Sequence, residues 1–289
     1  MKIFVIGQTT LHWGRLEFGN IGYFYVIEPF FNELRKTFPD AEICTTLQLS
    51  DSFRKTYNIV QLPIDLYYSF DKSFDNVQKS LWEYGIATLF HKTGKLYQTT
   101  EYIAEVQTSD LVIDFSGDVW GDNADFAGEN RFLIGLLKDR IAQLMNKKVV
   151  MLAVSPGPFK NNSQSIAFAR EVFENFEVVT NRESLSKQIL ENYGFNTKNV
   201  QNLACPSWLF KGCDADNIGS ILSTIKNVNK PIIGMALCGW NMIQAPFSKW
   251  PRDKAEYNNF VELVEYLIKH LDIQVVLFSH SNGFVFEPS

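Results

Sequence analysis

The stretch Leu111–Phe159, LVIDFSGDVWGDNADFAGENRFLIGLLKDRIAQLMNKKVVMLAVSPGPF, carries the folding pattern of the whole chain. It opens on a short apolar run, Leu111 to Phe115, and breaks at Ser116-Gly117-Asp118. Phe132, Leu133, Leu136, Leu137, Ile141 and Leu144 then recur every three to four residues, which predicts a helix from about Glu129 to Met145. A second apolar run, Val149 to Val154, follows and breaks at Ser155-Pro156-Gly157-Pro158. Short β-branched runs on either side of an amphipathic helix describe a βαβ unit whose strands are covered on both faces. Crossovers of this kind are right-handed in nearly all proteins, so the two strands lie parallel in one sheet. Both breaks fall at carboxyl ends of strands, where open α/β sheets bind their ligands. Gly117, Asp118, Ser155 and Gly157 are therefore candidate binding residues.

The totals set the outer bounds. A chain of 289 residues with 46% apolar content can bury at least one large core, and two are expected. Its 27 basic and 32 acidic residues, net −5, give no phosphate-tracking surface for nucleic acid. No window reaches the ~18 uninterrupted apolar residues of a membrane span. The opening Met1 to Gly7 is too short for a signal peptide and reads as a first strand. Cys44, Cys205, Cys213 and Cys238 show no paired spacing, so neither structural zinc nor a disulfide framework is expected. The expectation is a reduced, cytoplasmic protein with no cofactor.

In chain order, Lys2–Ile6 reads as the first strand. A long loop with His12 and Arg15 follows, then Gly19-Asn20-Ile21-Gly22 and a helix from Tyr23 to about Thr37. Glycines between a strand and a helix let the backbone approach an anion at the helix N-terminus, and equally serve a plain tight turn. Pro29 inside that helix predicts an end, a kink or a late start. Ala41–Thr46 and Ile59–Leu62 read as strands with a polar stretch between them, and Phe74–Tyr84 as a helix; residues 90–103 show no clear pattern. His91 reads as a surface or packing histidine. Asn161-Asn162-Ser163 caps a helix at 164–173, residues 177–180 form a strand, and the helix 185–193 closes on Gly194. Arg182 stands just before that last helix, suited to a carboxylate or phosphate, or to bridging a neighbouring loop. Val200–Ala204 ends this series, and a helix at 218–225 fits the polar segment beyond. Lys230-Pro231 then opens a new apolar run, Ile232–Leu237, followed by Cys238-Gly239-Trp240, a helix at 257–271, the strand Gln274–Phe278 and His280. The expected division is a Rossmann-like domain over residues 1–229 and the start of a second α/β domain over 230–289.

Several segments recur in a recognisable order: Gly19-Asn20-Ile21-Gly22, Asp114-Phe115-Ser116-Gly117-Asp118, Ser155-Pro156-Gly157-Pro158-Phe159, Arg182-Glu183-Ser184 with Gly194, Cys205-Pro206, and Val275 to His280. In this the chain resembles the polysaccharide pyruvyl transferase family across nearly its whole length. It departs from the family at Gly22-Tyr23, where Gly-Asp is usual, at Ser116-Gly117 in place of two glycines, and at Cys205-Pro206 in place of Asp-Pro. Family members continue to an Arg-x-His segment, so with the sequence stopping at Ser289 the second domain is expected to be incomplete.

The resemblance implies a GT-B-like fold of two Rossmann-like parallel-sheet domains. It implies transfer of a pyruvyl group from phosphoenolpyruvate onto two hydroxyls of a sugar in a cell-surface polysaccharide, the acceptor free or lipid-linked. Substrate- and donor-binding positions on this reading are Gly19, Asn20, Gly22, Gly117, Asp118, Ser155, Gly157, Ser184 and Gly239, with Arg182 and His280 in catalytic roles. The aspartates Asp118, Asp122 and Asp125 match no calcium loop, and a metal is not expected. Trp120, Trp240, Phe247 and Trp250 suit either a sugar face or packing under loops. Two other readings stay open: a glycosyltransferase using a nucleotide sugar on the same fold, and a non-catalytic glycan-binding relative. Homo-oligomerisation also stays open.

Overall fold

The computed structural model describes residues 1–7, 21–69, 73–159, 164–212, 229–237 and 257–279. Contacts divide the chain into two compact units, the first spanning most of Met1–Phe210 and the second mainly Lys211–Gly283. The first unit contains the strands β1 (Lys2–Ile6), β2 (Glu42–Thr45), β3 (Ile59–Gln61), β4 (Leu111–Asp114), β5 (Lys148–Val154), β6 (Val178–Asn181) and β7 (Val200–Asn202). Between them run the helices α1 (Ile21–Thr37), α2 (Asp51–Tyr57), α3 (Ser73–Thr93), α4 (Glu101–Thr108), α5 (Arg131–Leu144), α6 (Gln164–Glu174) and α7 (Ser184–Asn192). All seven strands are parallel, in the order β3-β2-β1-β4-β5-β6-β7. The order reverses between β1 and β4, so the crevice at their carboxyl ends is the topological switch point of the sheet.

Alternation along the strands fills two cores. In β1, Phe4 and Ile6 face one buried cluster while Ile3 and Val5 face the other. The first cluster is roofed by Ile86 and Ala87 of α3, Tyr102 and Val106 of α4 and Phe132 and Ile141 of α5. The second is roofed by Ile27, Phe31 and Leu34 of α1 and Phe53 of α2. Two-sided cover is why the strands read as unbroken apolar runs. Beneath α5, Lys138 donates to Glu83 of α3 at 2.5 Å and lies 4.1 Å from the centre of the Tyr102 ring, an ion pair with both side chains fully buried.

The structure differs from the sequence reading at several points. Helix α1 runs unbroken past Pro29, which withdraws only the one N–H that would have reached the Tyr25 carbonyl. The polar stretch after β2 contains α2, capped by Ser50, whose hydroxyl accepts from the Phe53 N–H at 3.3 Å. Helix α3 continues to Thr93, and Thr100 caps α4 by accepting from the Ile103 N–H at 3.2 Å. Trp120 is fully buried, packed edge-on against Phe132 and Phe159, so it presents no face to a sugar. The helix expected at 218–225, the cap at 161–163, and His12, Arg15, Trp240, Phe247, Trp250, Cys213 and Cys238 lie outside the described residues.

In the second unit the described residues form β8 (Ile232–Leu237), α8 (Asn258–Leu271) and β9 (Gln274–Ser279). Strands β8 and β9 pair in parallel from Ile232↔Gln274 to Leu237↔Ser279 and make a sheet of their own. Lys230 and Asp272, at the start of this unit's sheet, form an ion pair open to solvent.

Candidate functional site

The site is built where β4, β5 and β6 end. Asp114, the last residue of β4, turns its Oδ1 to accept the Ser116 N–H at 2.7 Å, and Gly117 follows with φ 63°. This loop and the one leaving β5 are joined backbone to backbone. The Ser155 N–H donates to the Gly117 carbonyl at 2.9 Å, the Gly157 N–H to the Trp120 carbonyl at 2.8 Å, and the Asp122 N–H to the Pro158 carbonyl at 2.9 Å. The approach is so close that a Cβ on Gly121 would stand 2.7 Å from the Gly157 backbone. Gly157 itself has φ 100°, a conformation open to glycine and strained for other residues.

A bulge aims Ser155. Val149 and Met151 face the α5 side, but Ala153 faces the α1 side and Val154 returns to the α5 side. The change of phase occurs at Ala153, which adopts φ 55°, and the pairing of β5 with β6 accordingly jumps from Met151↔Val179 to Val154↔Asn181. The hydroxyl of Thr180 accepts the Ala153 N–H at 2.8 Å and holds this strained residue in place. Val154 is thereby in register with Asn181, and Ser155 follows on beside Arg182.

Arg182 donates to the Ser155 Oγ from Nε at 3.1 Å and from Nη2 at 2.9 Å. Ser155 in turn donates to Glu183 Oε2 at 3.0 Å, and Ser186 of α7 donates to the other Glu183 oxygen. Among the described residues the Arg182 guanidinium has no carboxylate within ion-pair distance. A cation held by a serine at the mouth of a parallel sheet, beside the first turn of α7, can attract a phosphate or carboxylate. Glu183 opposes that attraction while it holds Ser155, so an incoming anion would compete with it.

Of the residues singled out in the sequence, Gly117, Ser155, Gly157 and Arg182 come together here, with Ser184 exposed at the start of α7. Asp118 is exposed, and its carbonyl accepts from Asn123 at 3.2 Å. Gly22 lies in the first turn of α1. Gly19, Asn20, Gly239 and His280 lie outside the described residues. No group of three or more metal-binding side chains occurs among the described residues.

Sequence reasoning missed the floor of the site. Asp114 and Asp139 of α5 are both fully buried, and Asp114 Oδ2, both Asp139 oxygens, Trp120 Nε1 and the Tyr67 hydroxyl have no partner in ordinary hydrogen-bond geometry. Burial pushes Asp114 up to about 6, against the pull of its bond to Ser116. Burial, then the charge of Asp114, raise Asp139 well above the usual carboxylate range, only partly offset by Trp120. Two carboxyls in one dry pocket cannot both ionise, so Asp139 keeps its proton while Asp114 holds the Ser116 turn. The signals were an aspartate closing the apolar run Leu-Val-Ile-Asp and a second one in the apolar stripe of the next helix.

A model of the polysaccharide pyruvyl transferase family matches residues 27–283. No protein of curated function matches the sequence. Among solved structures the chain is similar to the UDP-GlcNAc 2-epimerase from Methanocaldococcus jannaschii, with a TM-score of 0.52 at 13% identity over 96% of this chain and 65% of that one. It is also similar to S. aureus MnaA in a co-structure with UDP, with a TM-score of 0.50 at 13% identity over 97% of this chain and 62% of that one. At such identities the likeness bears on the fold alone, which is GT-B-like α/β. The chain spans less than two thirds of the length of either structure.

Proposed function

The chain belongs to the polysaccharide pyruvyl transferase family, and from that premise we propose that it moves a pyruvyl group from phosphoenolpyruvate onto a sugar of a cell-surface polysaccharide. In this reading residues 1–229 form one domain and residues 230–289 belong to another. The observation that carries the proposal is Arg182, held on Ser155 between two interlocked loops and free of a carboxylate partner among the described residues. Phosphoenolpyruvate carries a phosphate and a carboxylate, and Arg182 beside the half-buried Gly117 turn and the exposed first turn of α7 at Ser184 suits such a pair of anionic groups, with Gly157 locking the two loops together beneath them.

The reaction adds one sugar hydroxyl to the carbon bearing the phosphate while the neighbouring methylene gains a proton. A second hydroxyl then forms the other C–O bond of the ketal as the bond to phosphate breaks, and inorganic phosphate departs. Arg182 would stabilise the charge on that leaving group. His280 is assigned to proton transfer on its place in the sequence, as Gly19, Asn20, Gly22, Asp118 and Gly239 are assigned to binding. A histidine near neutrality can act as acid or base.

The test is binding of phosphoenolpyruvate by calorimetry to the wild type and to Arg182→Ala. Loss of one charged partner should weaken binding roughly ten- to hundredfold. Unchanged affinity in Arg182→Ala, or a nucleotide sugar binding in preference to phosphoenolpyruvate, would reject the reading.

A further inference from the structure

Helix α3 is apolar on two sides. Its inner side places Ile86 and Ala87 in the core and Glu83 against Lys138. Its outer side carries Phe74, Gln78, Leu81, Trp82, Gly85 and Leu89, a stripe at helical spacing along most of its length. Phe74 is 70% exposed, Leu81 49%, Trp82 52% and Leu89 45%. A solvated helix face ordinarily carries charge, and a helix that is apolar all round has neighbours all round. The one lysine in the middle of α3, Lys79, turns aside to donate to the Asp65 carbonyl at 3.1 Å. Gly85 opens a notch in the stripe, with no atom within 4 Å of where a Cβ would stand.

Charge lies on the exposed side only at the two ends of the helix, with opposite sign: Asp75 in the first turn, His91 and Lys92 in the last. We propose that this face is the contact with a second copy of this chain, the two α3 helices running antiparallel across a two-fold axis. One register satisfies the stripe from end to end. Asp75 faces the partner subunit's Lys92, Gln78 faces the partner subunit's Leu89, and Trp82 covers the notch at the partner subunit's Gly85. A two-fold axis repeats each pairing, which is the self-complementarity an isologous contact requires. A membrane surface fits less well, because an interfacial helix draws on basic residues along its length. Here one end is acidic and the chain carries a net charge of −5. The largest apolar patch on a typical monomer covers ~300–600 Å², short of the ~800 Å² per partner of a standard interface, so the contact proposed here draws in flanking residues such as Tyr97, 62% exposed, and is of micromolar strength.

Sedimentation velocity of the whole chain, with circular dichroism as the control for folding, tests the proposal. The wild type should pass from monomer to dimer at tens of micromolar, and Trp82→Glu should remain monomeric with an unchanged spectrum. Asp75→Lys and Lys92→Asp should each weaken the dimer on the order of tenfold, and the double exchange should restore it. A wild type that stays monomeric, a dimer indifferent to Trp82→Glu, or a double exchange weaker than either single change would overturn the proposal. So would wild-type protein that binds phosphatidylglycerol vesicles as a monomer while Trp82→Glu does not, since the stripe would then serve a lipid surface.

Discussion

The unit β4–α5–β5 and the unit β8–α8–β9 follow the same pattern of strand, amphipathic helix and parallel strand, yet they bury their apolar residues to different depths. In the first, Val112, Ile113, Val149 and Met151 are enclosed, as are Phe132, Ile134, Leu136 and Ile141 of the helix. In the second, Val261 is 50% exposed, Tyr266 58%, Leu277 61% and Phe278 54%. Periodicity is a local property and states which element forms. Depth of burial depends on how many layers pack onto that element, which is a property of distant sequence. Identical chemistry placed in the two units should therefore differ in energetic weight.

The ion pairs give the largest contrast. Lys138–Glu83 is buried on both sides, and burial lowers Lys138 to about 8 although Glu83 draws it back up. Glu83→Gln leaves a buried ammonium without its counter-charge and should cost about 3–5 kcal/mol in urea unfolding. A loss under about 1 kcal/mol would mean that the pair behaves like a surface one and that the two units do not differ as their burial suggests.

Next in size is the acid pair beneath the site. Asp114 and Asp139 both have native-state affinities for protons above the ordinary value of 3.8, so the folded chain holds more protons than the unfolded one. Their contribution is fully present below pH 4 and is lost as pH rises through their raised values, about 6 for Asp114. Each proton contributes a slope of roughly 1.4 kcal/mol per pH unit. Asp139→Asn imitates the protonated acid without titrating, so as pH rises above 4 it should gain on the wild type, at no more than roughly 1.4 kcal/mol per pH unit. The groups that face the pair, Tyr67, Tyr102 and Trp120, are unchanged by the substitution. Parallel stability curves for the two proteins would show that Asp139 is ionised in the native state.

Much of the sheet was legible because each strand states itself locally. Leu111–Asp114, Val149–Val154 and Ile232–Leu237 all lie where apolar runs end in glycine, serine or proline. Gly117, Ser155, Gly157 and Arg182 were visible for the same reason, as breaks at strand ends. Three features were not legible. The extent of α3 was hidden because apolar residues on both of its sides blur the single stripe that marks a helix. The bulge at Ala153 depends on Thr180 of the neighbouring strand, and alanine carries no mark of a positive φ. The Asp114–Asp139 pocket joins residues from two elements whose meeting only the fold declares.

Glycines sharpen the comparison at a smaller scale. A Cβ at Gly121 would overlap the Gly157 backbone, so Gly121→Ala should part the two loops and cost about 1–3 kcal/mol. Phosphate binding at Arg182 should weaken with it. Gly85 meets open space in the middle of α3 of the single chain, and below the concentration at which the proposed dimer forms Gly85→Ala should raise stability by about 0.5–1 kcal/mol through helix propensity. Thermal unfolding of both variants reads the two signs directly. A stabilised Gly121→Ala would mean that the loops are not locked at that point.

The smallest effect is expected where the second unit repeats the charge pairing of the first. Lys230 and Asp272 pair at the start of the β8–β9 sheet, with side chains 39% and 83% exposed. Water already solvates both ions, so the pair gains little Coulomb energy and orders two side chains to obtain it. Asp272 also has φ 47° at the end of α8, a conformation that asparagine accepts as readily as aspartate. Asp272→Asn therefore removes the charge without straining the cap, and should change stability by less than about 1 kcal/mol. Raising the salt concentration should erase what difference remains, because exposed charges are screened within ~10 Å at 0.1 M. A loss near that of Glu83→Gln, insensitive to salt, would place Lys230 and Asp272 in a dry environment and remove the contrast between the two units.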